Sequence, residues 1–150
     1  MYPGADEDKS KYLHLNEADG PVFKIRNDPR FTKIGKWLAK TGLDELPQFV
    51  NVVKGEMTLV GPRPLPINEE AKIPDQWRWK RRTVKPGITS SWVVAGGHNL
   101  RFREWMKLDM KDIERKSFFY DFVILVKTLG IVARNAAHFI YSAAVCAAVF

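Results

Sequence analysis

Segment 41–66 constrains the fold most, because it joins a helical apolar pattern to a turn whose backbone two prolines restrict. Gly55 is a natural end for the helix, and the apolar run 57–60 after it predicts a short strand. That strand leads into a Gly-Pro-Arg-Pro turn at 61–64, where both prolines fix φ and hold Arg63 on a stiff backbone. The apolar residues that share one helical face, at intervals of three and four, are Leu43, Leu46, Val50 and Val53.

Asp44 and Glu45 lie in the first turn of this predicted helix. Carboxylates are favourable there, because the unpaired amide N–H groups and the helix macrodipole stabilise negative charge. Pro47 is tolerated that early, since its missing N–H would have no partner in any case. An acidic helix start is the ordinary interpretation of such a pair, and only the surrounding stretch can favour a chemical role.

Apolar spacing along the rest of the chain predicts more helices than strands. In the helix expected over 100–116, Glu104, Asp109 and Asp112 are assigned to the polar sides. The pattern predicts a compact α+β domain, built mostly from amphipathic helices with a few short strands. The expected elements are helices over 31–40, 68–72, 100–116 and 118–133, a weak helix over 7–15, a strand over 21–25 and turn chemistry over 84–89.

Charge is distributed unevenly along the chain. Residues 1–20 carry five acidic residues and two lysines, a net charge of −3, within a total of +7. The remaining residues therefore carry +10. A body this basic favours an anionic partner, which can be membrane headgroups, a polyphosphate substrate or nucleic acid.

Two segments concentrate the cations. The helix over 31–40 presents Lys33, Lys36 and Lys40 away from its apolar face, which fits both an ordinary surface helix and contact with an anionic membrane. In segment 77–82, two tryptophans alternate with arginines and a lysine. Such a segment can stack on nucleic-acid bases or lie among headgroups.

Composition excludes several other classes of site. Cys146 is the single cysteine, so an internal disulfide framework and a cysteine-rich zinc site are excluded. The three histidines lack metal-ligand spacing. Charged residues interrupt the apolar region 118–150, and its uncharged part is shorter than the ~20 residues that a membrane crossing needs. We interpret this region as a buried or interfacial helix.

Segment 41–66 resembles the signature of the bacterial sugar transferases that act as polyprenyl-phosphate phosphoglycosyl transferases. The matching residues here are Leu43–Gln48, Asn51–Val52, Lys54–Gly55, Leu59–Gly61 and Pro62–Pro64. Other blocks match the family in the same order, namely Gly20–Phe23, Asp28–Arg30, Arg81, Pro86–Thr89, Leu108–Asp109 and Asp121–Thr128. The resemblance thus covers residues 20–128.

This resemblance implies transfer of a sugar phosphate from a UDP-sugar to undecaprenyl phosphate, with release of UMP. Such a reaction is the first membrane step of glycan or exopolysaccharide assembly, at the cytoplasmic face of the bacterial inner membrane. By the same resemblance, Asp44 is the nucleophile that forms a covalent phosphosugar intermediate, and Glu45 helps to hold Mg²⁺.

Both substrates carry phosphate and would repel a carboxylate nucleophile, so the reaction needs a divalent ion and arginines. Arg63 and Arg81 are the expected cations, because the planar guanidinium donates two parallel hydrogen bonds to phosphate. The other residues expected to bind substrate are Pro62, Pro64 and Asp121. An anionic membrane surface is the expected partner, and nucleic acid is not.

The chain departs from the family pattern at several positions. Ala39 stands where the family has an arginine, five residues before the nucleophile, and Gly97 stands where another arginine is expected. The loop 90–94 also differs. The family's N-terminal re-entrant membrane helix has no counterpart, so we expect a loosely ordered lead-in over 1–19, a catalytic domain truncated at its N-terminus over 20–134, and an apolar tail over 135–150.

Two other functions compete with transferase activity. One is a catalytically inactive domain that keeps the fold and binds a membrane or a protein. The other is a nucleic-acid-binding module based on segment 77–82. The order of the family motifs argues against the second.

Overall fold

The computed structural model describes the backbone of residues 1–5, 7–25 and 27–148, and the side chains of these residues except 40, 98, 139–140 and 142–148. The side chains of Lys40 and Cys146 thus lie outside the described residues. The elements in chain order are a 3-10 helix Glu7–Leu15, α1 Lys33–Thr41, a 3-10 helix Leu43–Glu45, α2 Gln48–Val53, β1 Thr58–Val60, α3 Ile67–Glu70, α4 Asp75–Arg82, β2 Gly87–Thr89, α5 Ser91–Val94, a 3-10 helix Gly97–Asn99, α6 Phe102–Glu114 and α7 Phe118–Ala148. This mainly helical chain with one small sheet confirms the α+β prediction.

The predicted single helix over 43–53 is wrong, because Pro47 divides it. Pro47 has no N–H to donate to the Leu43 carbonyl, and the chain there winds with the tighter i→i−3 hydrogen bonds of a 3-10 helix. Its φ of −59° then suits the start of α2. The predicted apolar face does not enter the core: Val53 is 89% exposed and Leu46 is 55% exposed.

Strands β1 and β2 form a two-stranded parallel sheet in which Thr58 pairs with Gly87 and Val60 with Thr89. The second half of segment 84–89, for which turn chemistry was predicted, is therefore a strand. A Cβ built on Gly87 would lie 2.1 Å from the Gly61 backbone nitrogen. The two strands thus approach so closely that residue 87 must be glycine.

The core lies between α4, α5 and α6, where few residues are fully buried. The buried cluster contains Ile73, Trp92, Trp105 and Met106, and partly buried side chains such as Leu65 and Phe102 pack around it. Trp92 and Trp105 stack with ring centroids 4.8 Å apart. The start of α5 is held against α6, because the Ser91 amide donates to Asp112 at 2.8 Å.

The N-terminal segment contacts this body at several points. Lys9 pairs with the buried Glu69 carboxylate at 2.6 Å, and the Asp19 carboxylate accepts from the Phe102 amide at 2.6 Å. The strand predicted over 21–25 is wrong. Instead the Lys24 amide donates to the Asn16 side chain at 2.7 Å, so the backbone of this stretch bonds to the preceding loop and not to a strand.

Helix α7 begins where predicted, at Phe118, but continues to Ala148. Its inner face packs on α5 and on both strands, and the Thr128 hydroxyl bonds to that of Thr89 at 2.7 Å. Its outer face leaves large apolar side chains exposed, namely Phe118, Phe119, Phe122, Val126 and Leu129. In the part of the chain that is described, no helix has the length and apolar character needed to cross a membrane.

Replacing Gly87 with alanine should destabilise the fold by about 1–3 kcal/mol, because the added methyl group would push β2 away from β1. Urea unfolding followed by circular dichroism would measure this change. Gly130→Ala is the matched control: its Cβ meets no atom within 4 Å, and alanine favours the exposed interior of α7 by roughly 1 kcal/mol. Equal stability of Gly87→Ala and the unmodified chain would contradict the close packing of the strands.

Candidate active site

A short 3-10 helix presents Asp44 and Glu45 at the surface. Gly42 adopts a left-handed conformation with φ of 74°, ends α1 and donates its N–H to the Leu38 carbonyl. The chain then turns directly into the 3-10 helix Leu43–Glu45. Asp44 is exposed and Glu45 is half-buried, with its carboxylate bonded to the Gln48 side chain. Asp44 is therefore accessible to a substrate, whereas Glu45 is held in place.

Arg63 approaches this acidic pair from the turn after β1. Its Nη1 lies 3.9 Å from Glu45 Oε1, although the two residues are 18 positions apart in the chain. Both side chains are only partly covered, with 48% of Arg63 and 32% of Glu45 exposed. The structure thus brings the Glu45 carboxylate and the Arg63 guanidinium together at an open surface, and the exposed Asp44 precedes Glu45 in the chain.

The Arg63 guanidinium also lies over an aromatic ring. Its Cζ is 5.6 Å from the centroid of Trp92, a distance that allows a cation–π interaction. Trp92 lies in α5, within segment 90–94 where the sequence departs from the family pattern, and no sequence motif had placed it at the site. Gly97 makes room for this ring, since a Cβ at position 97 would lie 2.5 Å from it. The arginine expected at position 97 is therefore incompatible with this arrangement.

Arg81 lies behind the turn and not at its surface. Only 7% of its side chain is exposed, and its guanidinium pairs with the fully buried Asp109 through Nη1. Its Nη2 donates to the Arg63 carbonyl oxygen at 2.6 Å. Burial lowers the pKa of Arg81 to about 10, in spite of the negative charge of Glu70, so the group stays charged at neutral pH.

The assignment of Asp109 and Asp112 to the polar sides of α6 is wrong, because both are buried. The spacing of residues in α6 indicated this burial, because Asp109 follows Trp105 by four residues and therefore lies on the same, buried face. An acidic residue on that face needs a buried cation or donor. Arg81 supplies one for Asp109, and the Tyr120 hydroxyl donates to Asp112 at 2.8 Å.

The remaining predicted residues lie at the edge of this site. Pro62 is buried and Pro64 is exposed, on either side of Arg63. Asp121, near the start of α7, lines a small pocket together with Pro62 and Lys116. Burial raises the pKa of the Asp121 carboxyl, and the nearby charge of Lys116 partly opposes this effect. Asp121 therefore lies beside the turn that carries Arg63.

The donor atoms at the site are suited to Mg²⁺, which binds to one or two carboxylates and completes its shell with water and substrate oxygens. Among the described residues, no group of three or more histidine, cysteine or acidic side chains could hold a metal ion. A complete protein cage for a metal is thus not found there. Glu45, with Asp44 beside it, can supply the carboxylate oxygens that a substrate-bound Mg²⁺ needs.

Comparison with known proteins identifies relatives of this chain. The family model of the bacterial sugar transferases matches residues 1–135. Galactosyl transferase CpsE of Streptococcus agalactiae is 43% identical over 133 residues, which cover 88% of this chain and 29% of CpsE. Undecaprenyl-phosphate galactose phosphotransferase of Salmonella typhimurium is 39% identical over 113 residues, covering 75% of this chain and 24% of the relative. Exopolysaccharide production protein ExoY of Rhizobium meliloti is 37% identical over 133 residues, covering 86% of this chain and 58% of ExoY.

These matches confirm the resemblance seen in the sequence motifs and extend it to the first residue. The chain spans less than two thirds of the length of these relatives. The family model nevertheless covers most of the chain, and the matched residues include Asp44, Glu45, Arg63 and Arg81. The chain therefore belongs to the bacterial sugar transferase family.

Proposed function

We propose that this chain transfers a sugar phosphate from a UDP-sugar to undecaprenyl phosphate. The observation that carries the proposal is the approach of Arg63 to Glu45 at an open surface, next in the chain to the exposed Asp44, in a member of this family. The names of two relatives support the reaction class, since they are an undecaprenyl-phosphate galactose phosphotransferase and a UDP-glucose:undecaprenyl-phosphate glucose-1-phosphate transferase.

Asp44 is the proposed nucleophile. One of its carboxylate oxygens attacks the phosphorus that carries the sugar, the pyrophosphate P–O bond breaks, and UMP leaves with that bonding electron pair. The enzyme then holds an aspartyl phosphosugar. An oxygen of the lipid phosphate attacks the same phosphorus, which releases the diphosphate product and restores the Asp44 carboxylate. The exposure of Asp44 suits a residue that must meet two different substrates in turn.

Arg63 is the proposed cation for the phosphoryl oxygens. Negative charge redistributes over these oxygens in phosphoryl transfer, and a positioned guanidinium stabilises it by paired hydrogen bonds. Arg63 is 3.9 Å from Glu45, too far for a tight hydrogen-bonded pair, so the guanidinium can turn to a phosphate. Contact with Trp92 would keep it near the surface while it does so.

Glu45 is the proposed ligand of Mg²⁺. When bound, the ion would neutralise the pyrophosphate and make UMP a better leaving group. The Gln48 side chain holds the Glu45 carboxylate in one orientation. This hydrogen bond would limit the rotation that a free carboxylate has before it binds the ion.

A membrane surface is the proposed partner, and its cytoplasmic face is the proposed location. Lys33 and Lys36 are exposed on α1, beside exposed Ile34 and Trp37. Helix α1 packs against α7, whose outer apolar face is also exposed. Apolar side chains next to lysines are typical of helices that lie in an anionic interface, where a lipid-linked phosphate is confined.

The nucleic-acid alternative receives less support. In segment 77–82 each cation pairs with a carboxylate: Arg78 with Asp75, Lys80 with Glu114, Arg81 with Asp109 and Arg82 with Glu70. A phosphate backbone would have to displace these acids. The inactive interaction domain remains the competing function, and only an activity measurement separates it from the transferase.

Replacing Asp44 with asparagine should reduce transfer by about 10⁴-fold or more and abolish covalent labelling by a radiolabelled UDP-sugar, because an amide is a poor nucleophile. Glu45→Gln should still be labelled, but at a lower rate and with a higher Mg²⁺ requirement. Asp75→Asn, which changes an exposed carboxylate at the start of α4, is the control and should behave like the unmodified chain. Persistent labelling of Asp44→Asn would refute the nucleophile assignment.

Vesicles containing phosphatidylglycerol should bind the chain more tightly than neutral vesicles, and binding should weaken as salt rises, since screening is strong beyond about 10 Å at 0.1 M. The double variant Lys33→Glu/Lys36→Glu should bind at least about tenfold more weakly, because each lysine near the surface contributes about 1 kcal/mol. Lys107→Glu/Lys111→Glu on α6 has the same net charge and should lose less affinity. Equal losses for both pairs, measured by cosedimentation, would refute an orientation through α1.

A further inference from the structure

The turn that carries Arg63 is tied to the body through two consecutive carbonyl groups. The Pro62 carbonyl accepts from the Gly87 amide at 3.0 Å, and the Arg63 carbonyl accepts from Arg81 Nη2 at 2.6 Å. The first bond extends the contact between β1 and β2. The second comes from a buried side chain on α4, 18 residues further along the chain. Together they fix the peptide planes on both sides of the Arg63 Cα atom.

Arg81 can make this bond because its own position is fixed. Its Nη1 pairs with Asp109, which has no exposed surface, and its Cζ lies 5.9 Å from the Trp105 ring centroid. The guanidinium fork holds two donors at a set separation, so one can bind the carboxylate while the other binds the carbonyl. A lysine has a single ammonium head and cannot reproduce both bonds in this geometry.

The aromatic stack gives Arg81 and Arg63 a second connection. Trp105 contacts Arg81, Trp92 stacks on Trp105, and the Arg63 guanidinium lies over Trp92. The backbone and the side chain of Arg63 thus both rest on groups that contact the buried Arg81–Asp109 pair. Arg81 has little exposed surface of its own with which to meet a phosphate.

We propose that Arg81 is a positioning residue that sets the orientation of Arg63 through the Arg63 carbonyl, and that it does not contact the substrate. Asp109 holds Arg81 in place for this role. The inference rests on the proposed function for its effect on catalysis, but the hydrogen bond can be tested without turnover. It replaces the expectation that Arg81 binds phosphate directly.

Arg81→Lys is the first test variant, since it keeps the charge beside Asp109 and loses the second donor. In NMR spectra of ¹³C,¹⁵N-labelled protein, the carbonyl carbon of Arg63 should shift on loss of its hydrogen bond, whereas that of Pro62 should not. Arg82→Lys is the matched control, because the neighbouring Arg82 is exposed and pairs with Glu70. It should leave both carbonyl carbons unchanged.

Kinetics give the second measurement. Misplacement of Arg63 should lower kcat of Arg81→Lys by roughly 10–100-fold, with a smaller change in KM for the UDP-sugar. In a chain that already carries Arg63→Gln, the same substitution should change kcat by less than about twofold, because there is no guanidinium left to position. Asp109→Asn should change the chemical shift of the Arg63 carbonyl carbon in the same direction. This variant replaces Arg81→Lys in the test if Arg81→Lys does not fold.

An unchanged Arg63 carbonyl shift in Arg81→Lys would overturn the positioning role. The role would also be overturned if the fold-loss of kcat in the double variant Arg63→Gln/Arg81→Lys equalled the product of the losses in the two single variants. Arg81 would then act independently of Arg63. If the unmodified chain has no transferase activity, the proposed function fails, and the carbonyl shift still decides whether Arg81 orients Arg63.

Discussion

The buried Asp109 carboxylate imposes the strongest single constraint on the site. It has no exposed surface, and removing a charge from water costs several kcal/mol unless a cation and hydrogen bonds compensate. Arg81 compensates for it and is itself desolvated, which its lowered pKa reflects. A buried pair of this kind has few alternative geometries. Because the second guanidinium nitrogen donates to the Arg63 carbonyl, electrostatics inside the domain fix the backbone of a residue whose side chain is exposed.

The packing of the tryptophan rings bears on one departure from the family pattern, the glycine at position 97. Trp92 stacks on Trp105 in the core and supports Arg63 at the surface, so its ring must pass close to the loop after α5. Gly97 begins the 3-10 helix at the end of that loop, and any Cβ there would overlap the ring. In this structure the packing of the Trp92 ring therefore leaves no room for an arginine at position 97. The Trp92 ring occupies the space that a side chain at position 97 would need in order to reach a nucleotide.

Sequence alone predicted the fold class, and it related Glu45 to Arg63, which the structure places 3.9 Å apart. Asp44, Glu45 and Arg63 belong to one short stretch, so local motif and turn chemistry sufficed to relate them. Asp109 and Trp92 were missed because their roles depend on which way a helix is rotated in the fold. A periodic pattern identifies the faces of a helix, and an isolated acid is assigned to the polar face by default. That default fails for Asp109, because Arg81 pairs with it inside the fold.

Apolar residues repeat every 3.6 positions both on a helix face that packs on protein and on one that contacts lipid or another partner. Periodicity therefore could not distinguish the two. Among the side chains that the structure describes, the apolar faces of α2 and α7 stay open, and the fully buried cluster contains only a handful of residues. A core this small provides limited free energy of folding. A surface that covered those faces and bound the folded chain more tightly than the unfolded one would stabilise the fold by mass action. Binding of such a surface and folding of the chain would then be linked equilibria.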